Sequence, residues 1–109
     1  MKRTALVLAI LLLAGCAKQK NLETAVIAAK TMVCDKCAQT VEKAVYRVEG
    51  VKEVEVALKE KSVTVKYLPE QTNLETIVLA ISDAGYDAND RKRDPAAYEA
   101  LDACCKTDE

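Results

Sequence analysis

An α+β fold, with one antiparallel sheet and two helices on a single face, is predicted by three features of the sequence. Two stretches repeat apolar residues at helical spacing, several short runs alternate or are continuously apolar, and the two kinds interleave in a fixed order. Residues 24–29 form a short apolar, β-branched run read as a strand. From Cys37 the period changes: Cys37, Val41, Ala44, Val45 and Val48 share one helical face, opposite Gln39, Glu42, Lys43 and Arg47. Gly50 is placed at the end of that helix.

Val54, Val56 and Leu58 alternate with polar or small residues as a half-buried strand, and Lys59-Glu60-Lys61 makes a charged turn. Val63, Val65 and Tyr67 repeat the alternation, predicting a hairpin that Pro69 stops. Thr72 and Glu75 read as a capping box before the stripe Leu74, Ile77, Val78 and Ile81. Ala84-Gly85 closes this second helix, and 86–88 is expected to add a last short strand. The order β-α-β-β-α-β, with right-handed crossovers, gives a ferredoxin-like split βαβ sandwich. Asp94 and Pro95 then predict a short C-terminal helix, which must dock to persist.

Composition excludes several functions. The chain of 109 residues carries a formal charge of −1, so no bulk basic field points to nucleic acid. It contains no His, which removes the commonest general base and the commonest nitrogen ligand for metals. A metal held by strong donors must therefore be held by sulfur, with carboxylates in support. Five Cys are available, at 16, 34, 37, 104 and 105.

The N-terminus predicts an address. Lys2 and Arg3 precede an apolar run over 5–14, the pattern of a secretory signal and too short for a comfortable transmembrane helix. Leu13-Ala14-Gly15-Cys16 resembles the lipobox of bacterial lipoproteins. That resemblance implies cleavage after a 1–15 signal peptide, a diacylglyceryl thioether on Cys16 and an acylated amino group. The alternative is an ordinary signal peptide with an incidental Cys16. On the lipobox reading, 16–23 tethers a domain at 24–89 to the extracytoplasmic or periplasmic side of a membrane, with 90–109 as a tail. The tether reaches at most about 25 Å.

The central domain carries a second resemblance. Met32-x-Cys34-x-x-Cys37, then Val41 and Ala44, Val48-Glu49-Gly50-Val51 and Asp83-Ala84-Gly85-Tyr86 resemble a heavy-metal-associated domain over 24–89. Among its members, periplasmic mercury-binding proteins and bacterial copper chaperones are the most similar. The resemblance implies that Cys34 and Cys37 are metal ligands, that Met32 packs beneath their loop and that Tyr86 lies beside it. Thr31 stands where the family usually has Gly, a change expected to alter how the first strand enters the loop.

The spacing suits soft-metal chemistry. Cys37 falls in the first turn of a helix, whose amides favour a thiolate. Two converging thiolates fit Cu(I) or Hg(II), whereas Zn(II) normally takes four ligands. An open site of this kind lets a partner's thiols take the ion, so the chain is read as a non-enzymatic carrier whose partner is a metal transporter or another thiol-bearing domain. The alternatives are a passive metal buffer, a membrane-tethered thiol–disulfide oxidoreductase, or a disulfide that merely ties the loop. Against the oxidoreductase, no Trp precedes Cys34, and Pro69 and Pro95 are poorly placed to face the thiols. Asp35 and Lys36 are read as tuning or docking charges, and Arg91-Lys92-Arg93 as a solvated linker. Cys104 and Cys105 are expected to fold back and join the site, which would admit Zn(II) or Cd(II). An independent thiol pair and an intermolecular bridge remain as alternatives.

Overall fold

The computed structural model describes residues 21–106. The expected signal peptide and Cys16 lie outside the described residues. Strand β1 (Glu23–Ala28), helix α1 (Asp35–Tyr46), strands β2 (Val51–Ala57) and β3 (Ser62–Tyr67) and helix α2 (Leu74–Asp83) follow in order. Helix α3 (Pro95–Glu99) and a 3₁₀ turn over Ala103–Cys105 complete them. No helix among the described residues is long and apolar enough to cross a membrane.

Strand β3 is central, paired antiparallel with β1 on one side and β2 on the other. Its register sets Val63 between Ile27 and Val56, and Val65 between Ala25 and Val54, so the alternating apolar residues line one face. That face is covered by α1 through Cys37, Val41 and Val45 and by α2 through Ile77 and Ile81, all fully buried. The opposite face meets solvent, where Val26 is 64% exposed. The ferredoxin-like layering therefore holds, with three strands in the sheet.

The last strand expected at 86–88 does not form. Ala88 makes only an isolated bridge to Arg91, because Asn89 turns the chain at φ +53°. The Asp87 amide donates to Thr31 Oγ1 instead of a ladder, and Asp87 Oδ1 accepts from the Arg93 amide. Beside β1, Asn89 does what one residue of a strand would do. Its amide donates to the Ala28 carbonyl at 2.7 Å, and its Oδ1 accepts from the Ala28 amide at 2.9 Å.

Two boundaries also differ from expectation. Helix α1 stops at Tyr46, and Gly50, at φ +101°, serves the entry to β2. Helix α2 is capped by Asn73, whose Oδ1 accepts from the Thr76 amide at 2.8 Å, whereas the Thr72 hydroxyl is buried without a partner. Asn competes well for this role because its short side chain reaches the orphan amides of the first turn.

The tail docks. Asp94 caps α3 through the Ala97 amide with Pro95 at the first turn, as expected. Buried Ser82, in the last turn of α2, donates its hydroxyl to the Lys92 carbonyl, and its own carbonyl accepts from the Asp94 amide. Arg93 stacks over the Tyr98 ring at 3.8 Å, so the basic run is fastened at that end, while Arg91 and Lys92 are exposed to solvent as expected. Gly85, at φ +105°, lets α3 approach: a Cβ there would sit 3.2 Å from the Ala97 backbone and from Leu101. Gly85→Ala is expected to lower stability by about 1–3 kcal/mol from backbone strain. Urea unfolding of the two proteins measures the difference.

Candidate metal centre

Cys34 is the N-cap residue of α1, in extended backbone at φ −153°, and Cys37 lies in its first turn. The helical period points Cys37 into the core, where it is fully buried, while Cys34 remains half-exposed. Their Sγ atoms are 3.2 Å apart. One sulfur is thus fixed by packing and the other stands at the surface beside it.

The loop carrying them is supported on three sides. Met32 is buried beneath it, and Lys61, held at φ +54° in the hairpin turn, donates from Nζ to the Met32 carbonyl at 2.9 Å. Thr31 accepts from the Asp87 amide at 3.0 Å, a link that glycine could not make. Tyr86 is fully buried, and its hydroxyl has no hydrogen-bond partner. Burial first, and then the neighbouring Cys37 and Cys105 sulfurs, push its ionisation up, so the group stays a neutral O–H.

The tail brings two more thiols to the same place. Cys104 Sγ is 3.3 Å and Cys105 Sγ 3.6 Å from Cys34 Sγ, and all three lie within 4.8 Å of one another. Cys104 is exposed and Cys105 is buried. All four are free thiols, so neither a loop-tying nor an adjacent-residue disulfide is present among the described residues. Lys36 Nζ meets Asp102 at 2.6 Å, fastening the segment just before this pair to the first turn of α1. Each partner favours the charged form of the other, raising the Lys36 pKa and lowering that of Asp102. Asp35 is exposed and takes no part in the sulfur cluster.

The thiols differ in acidity. Burial pushes Cys34 up, but hydrogen bonding with Cys37, and then with Cys104 and Cys105, outweighs it and brings the pKa down to about 7. Cys105 is held up by burial and then by Cys37, and Cys104 by its hydrogen bonding with Cys34 and then by burial. Cys34 therefore ionises before either tail thiol.

Sequence reasoning missed three supports: the Lys61 contact with the loop carbonyl, the Ser82 clamp on the tail and the specific Lys36–Asp102 pairing. Lys36 stood out as a charge between the thiols, but its partner is far away in the chain. Lys61 and Ser82 gave no local signal.

A family model described as the heavy-metal-associated domain matches residues 26–87. The chain belongs to that family. Among solved structures it is similar to oxidized MerP from Ralstonia metallidurans CH34, with 30% identity and a TM-score of 0.61, over 63% of this chain and 96% of that one. The CopZ metallochaperone gives 29% identity and a TM-score of 0.59, over 61% and 98%. Of curated relatives, a copper-transporting ATPase 2 from Rattus norvegicus is 35% identical over 69 residues, 63% of this chain. A copper-exporting P-type ATPase from Staphylococcus saprophyticus is 33% identical over 70 residues. The chain spans only 5% and 9% of the length of these two relatives. Cys104 and Cys105 lie beyond the segment that the heavy-metal-associated model matches.

In the reduced, metal-free protein, alkylation of Cys34 should rise with pH to a midpoint of about 7. Peptide mass mapping across a pH series reads this directly, and a midpoint near the ordinary thiol value of 9.0 would contradict it. The sign for stability follows: the contribution of the Cys34 thiolate is fully present above 9.0 and is lost as pH falls through about 7.

Proposed function

We propose that this chain captures a soft metal ion, Cu(I) or Hg(II), on Cys34 and Cys37 and passes it to a metal transporter or another thiol-bearing domain. The observation that carries this reading is the pair of sulfurs 3.2 Å apart, one seated in the core and one at the surface. Soft d¹⁰ ions accept two or three thiolates, and no nitrogen donor from His is needed. The relatives support the choice of cargo: their names include copper-transporting ATPases and a mercury-bound periplasmic MerP.

Transfer is ligand exchange without oxidation or reduction. An incoming partner thiolate adds to the ion, a three-sulfur intermediate forms, and the bond to Cys34 breaks because that sulfur is the accessible one. Its low pKa makes it a good ligand and also a competent leaving group near neutral pH. Buried Cys37 is released last. No bond of the partner is made or broken apart from those to the metal, so the role is that of a carrier and not an enzyme.

The extracytoplasmic, membrane-bound setting rests on Lys2, Arg3, the apolar run and the Leu13-Ala14-Gly15-Cys16 sequence. Acyl chains on Cys16, at about 0.8 kcal/mol per buried CH₂, would hold the domain at a bilayer. The metal-site reading predicts that Cys34→Ser or Cys37→Ser weakens Cu(I) binding by more than the roughly 10–100-fold that loss of an outer hydrogen bond to a ligand costs. Competition with a chromogenic Cu(I) chelator measures it, and unchanged affinity in both variants would remove the reading. The anchoring reading predicts that Cys16→Ala moves the protein from the membrane to the soluble fraction and abolishes labelling by radioactive palmitate in bacterial cells.

A further inference from the structure

We infer that the tail converts the two-sulfur loop into a closed site for a divalent d¹⁰ ion, Cd(II) or Zn(II), in which Cys34, Cys104 and Cys105 bind together and Cys37 supplies the fourth sulfur. The inference rests on the reading of Cys34 as a metal ligand and extends it beyond the family's segment. Three observations carry it.

The first is spacing. Four sulfurs around a zinc ion at about 2.3 Å would stand roughly 3.8 Å apart, whereas two sulfurs in line across such an ion would be roughly 4.6 Å apart. The contacts from Cys34 to Cys37, Cys104 and Cys105 are 3.2, 3.3 and 3.6 Å. Cys34, Cys104 and Cys105 lie within 4.8 Å of one another, so small shifts of the α1 loop and the tail bring these three to tetrahedral spacing, whereas Cys37, 3.2 Å from Cys34 but outside that group, must turn toward the tail to take the fourth position.

The second is the Tyr86 hydroxyl. It is fully buried beside Cys37 and Cys105, and neither sulfur meets it in hydrogen-bond geometry. A donor without an acceptor is costly in a core, by about 1–3 kcal/mol. When those sulfurs become metal-bound thiolates they acquire the negative charge that such a donor satisfies. The buried tyrosine is thus matched to the metal-loaded state.

The third is that the tail is built to arrive. The Ser82 clamp, the α3 cap and the close approach at Gly85 place residues 94–101 before the turn over Ala103–Cys105 begins. Beyond them, buried Cys105, the exposed Lys36–Asp102 pair and the Lys106–Glu99 pair, in which Lys106 is half-buried, hold the segment. Exposed ion pairs are weak, so burial of Cys105 is the main hold on the last turn, and lifting that turn exposes its thiol. Closed, it sets the Cys104 and Cys105 sulfurs against Cys34, where they compete with the thiols of an exchanging partner. Lifted, it leaves the two-sulfur site of the carrier. The tail acts as a tethered competitor for the cargo, with its effective concentration set by this short attachment.

The test is Cd(II) binding to the full reduced chain, read by competition, by X-ray absorption at the cadmium edge and by sedimentation. Wild type should show three or four sulfurs around one ion in a monomer. Cys104→Ser/Cys105→Ser should lose one or two sulfurs and weaken Cd(II) binding by at least about 100-fold. Cys104→Ser alone alters an exposed side chain and controls for any folding defect from changing buried Cys105. Tyr86→Phe should weaken Cd(II) binding by about 10–100-fold. An unchanged sulfur count and affinity in Cys104→Ser/Cys105→Ser would overturn the inference, as would cadmium bound only between two chains. Loss of Cu(I) binding is read separately, in Cys34→Ser and Cys37→Ser, so failure of the carrier reading is distinct.

Discussion

The burial of Cys37 in the first turn of α1 is the constraint on which the rest of the site depends. A thiol at this position is part of the apolar stripe with Val41 and Val45, so the same packing that seats the helix on the sheet also fixes one sulfur. Once Cys37 is seated, three residues of helix geometry determine where Cys34 can be. The N-cap position leaves Cys34 at the surface with its own backbone extended, and hydrogen bonding from neighbouring sulfurs favours its thiolate. The pair is asymmetric by construction. One sulfur is fixed in the core, and the other stands at the surface.

Much of this was legible in the sequence because it is written in local periodicity. The shift from period two to helical period at Cys37 located α1, and the alternation of Val54, Val56, Val63 and Val65 located the hairpin. Asp94 and Pro95 announced a helix start by chemistry that needs no tertiary context. Tyr86 and Met32 were placed by resemblance to a family, and their burial follows from the core that forms beneath the loop.

What was not legible depended on competition between neighbours or on contacts distant in the chain. Thr72 and Asn73 both offer a capping side chain, and only the path of the chain out of β3 chose Asn73. The segment 86–88 has the composition of a strand, yet Thr31 and Arg93 take hydrogen-bonding groups of Asp87. The tail thiols were visible as a pair, but their distance from Cys34 depends on Ser82, Gly85 and the Lys36–Asp102 contact acting together. Pairings separated by tens of residues leave no period to read.

The way Asn89 occupies the end of β1 has a consequence for how copies of this molecule behave when crowded. An outer strand with free amides and carbonyls invites another chain to extend the sheet. Here both main-chain groups of Ala28 are already taken, one by the Asn89 backbone and the other by its side chain. The left-handed turn at Asn89 then carries the chain back before a ladder can grow. A neighbour approaching along this edge would have to strip off Asn89 before adding beyond that point. The single residue that replaces the missing fourth strand thus closes the outer edge of β1 at Ala28.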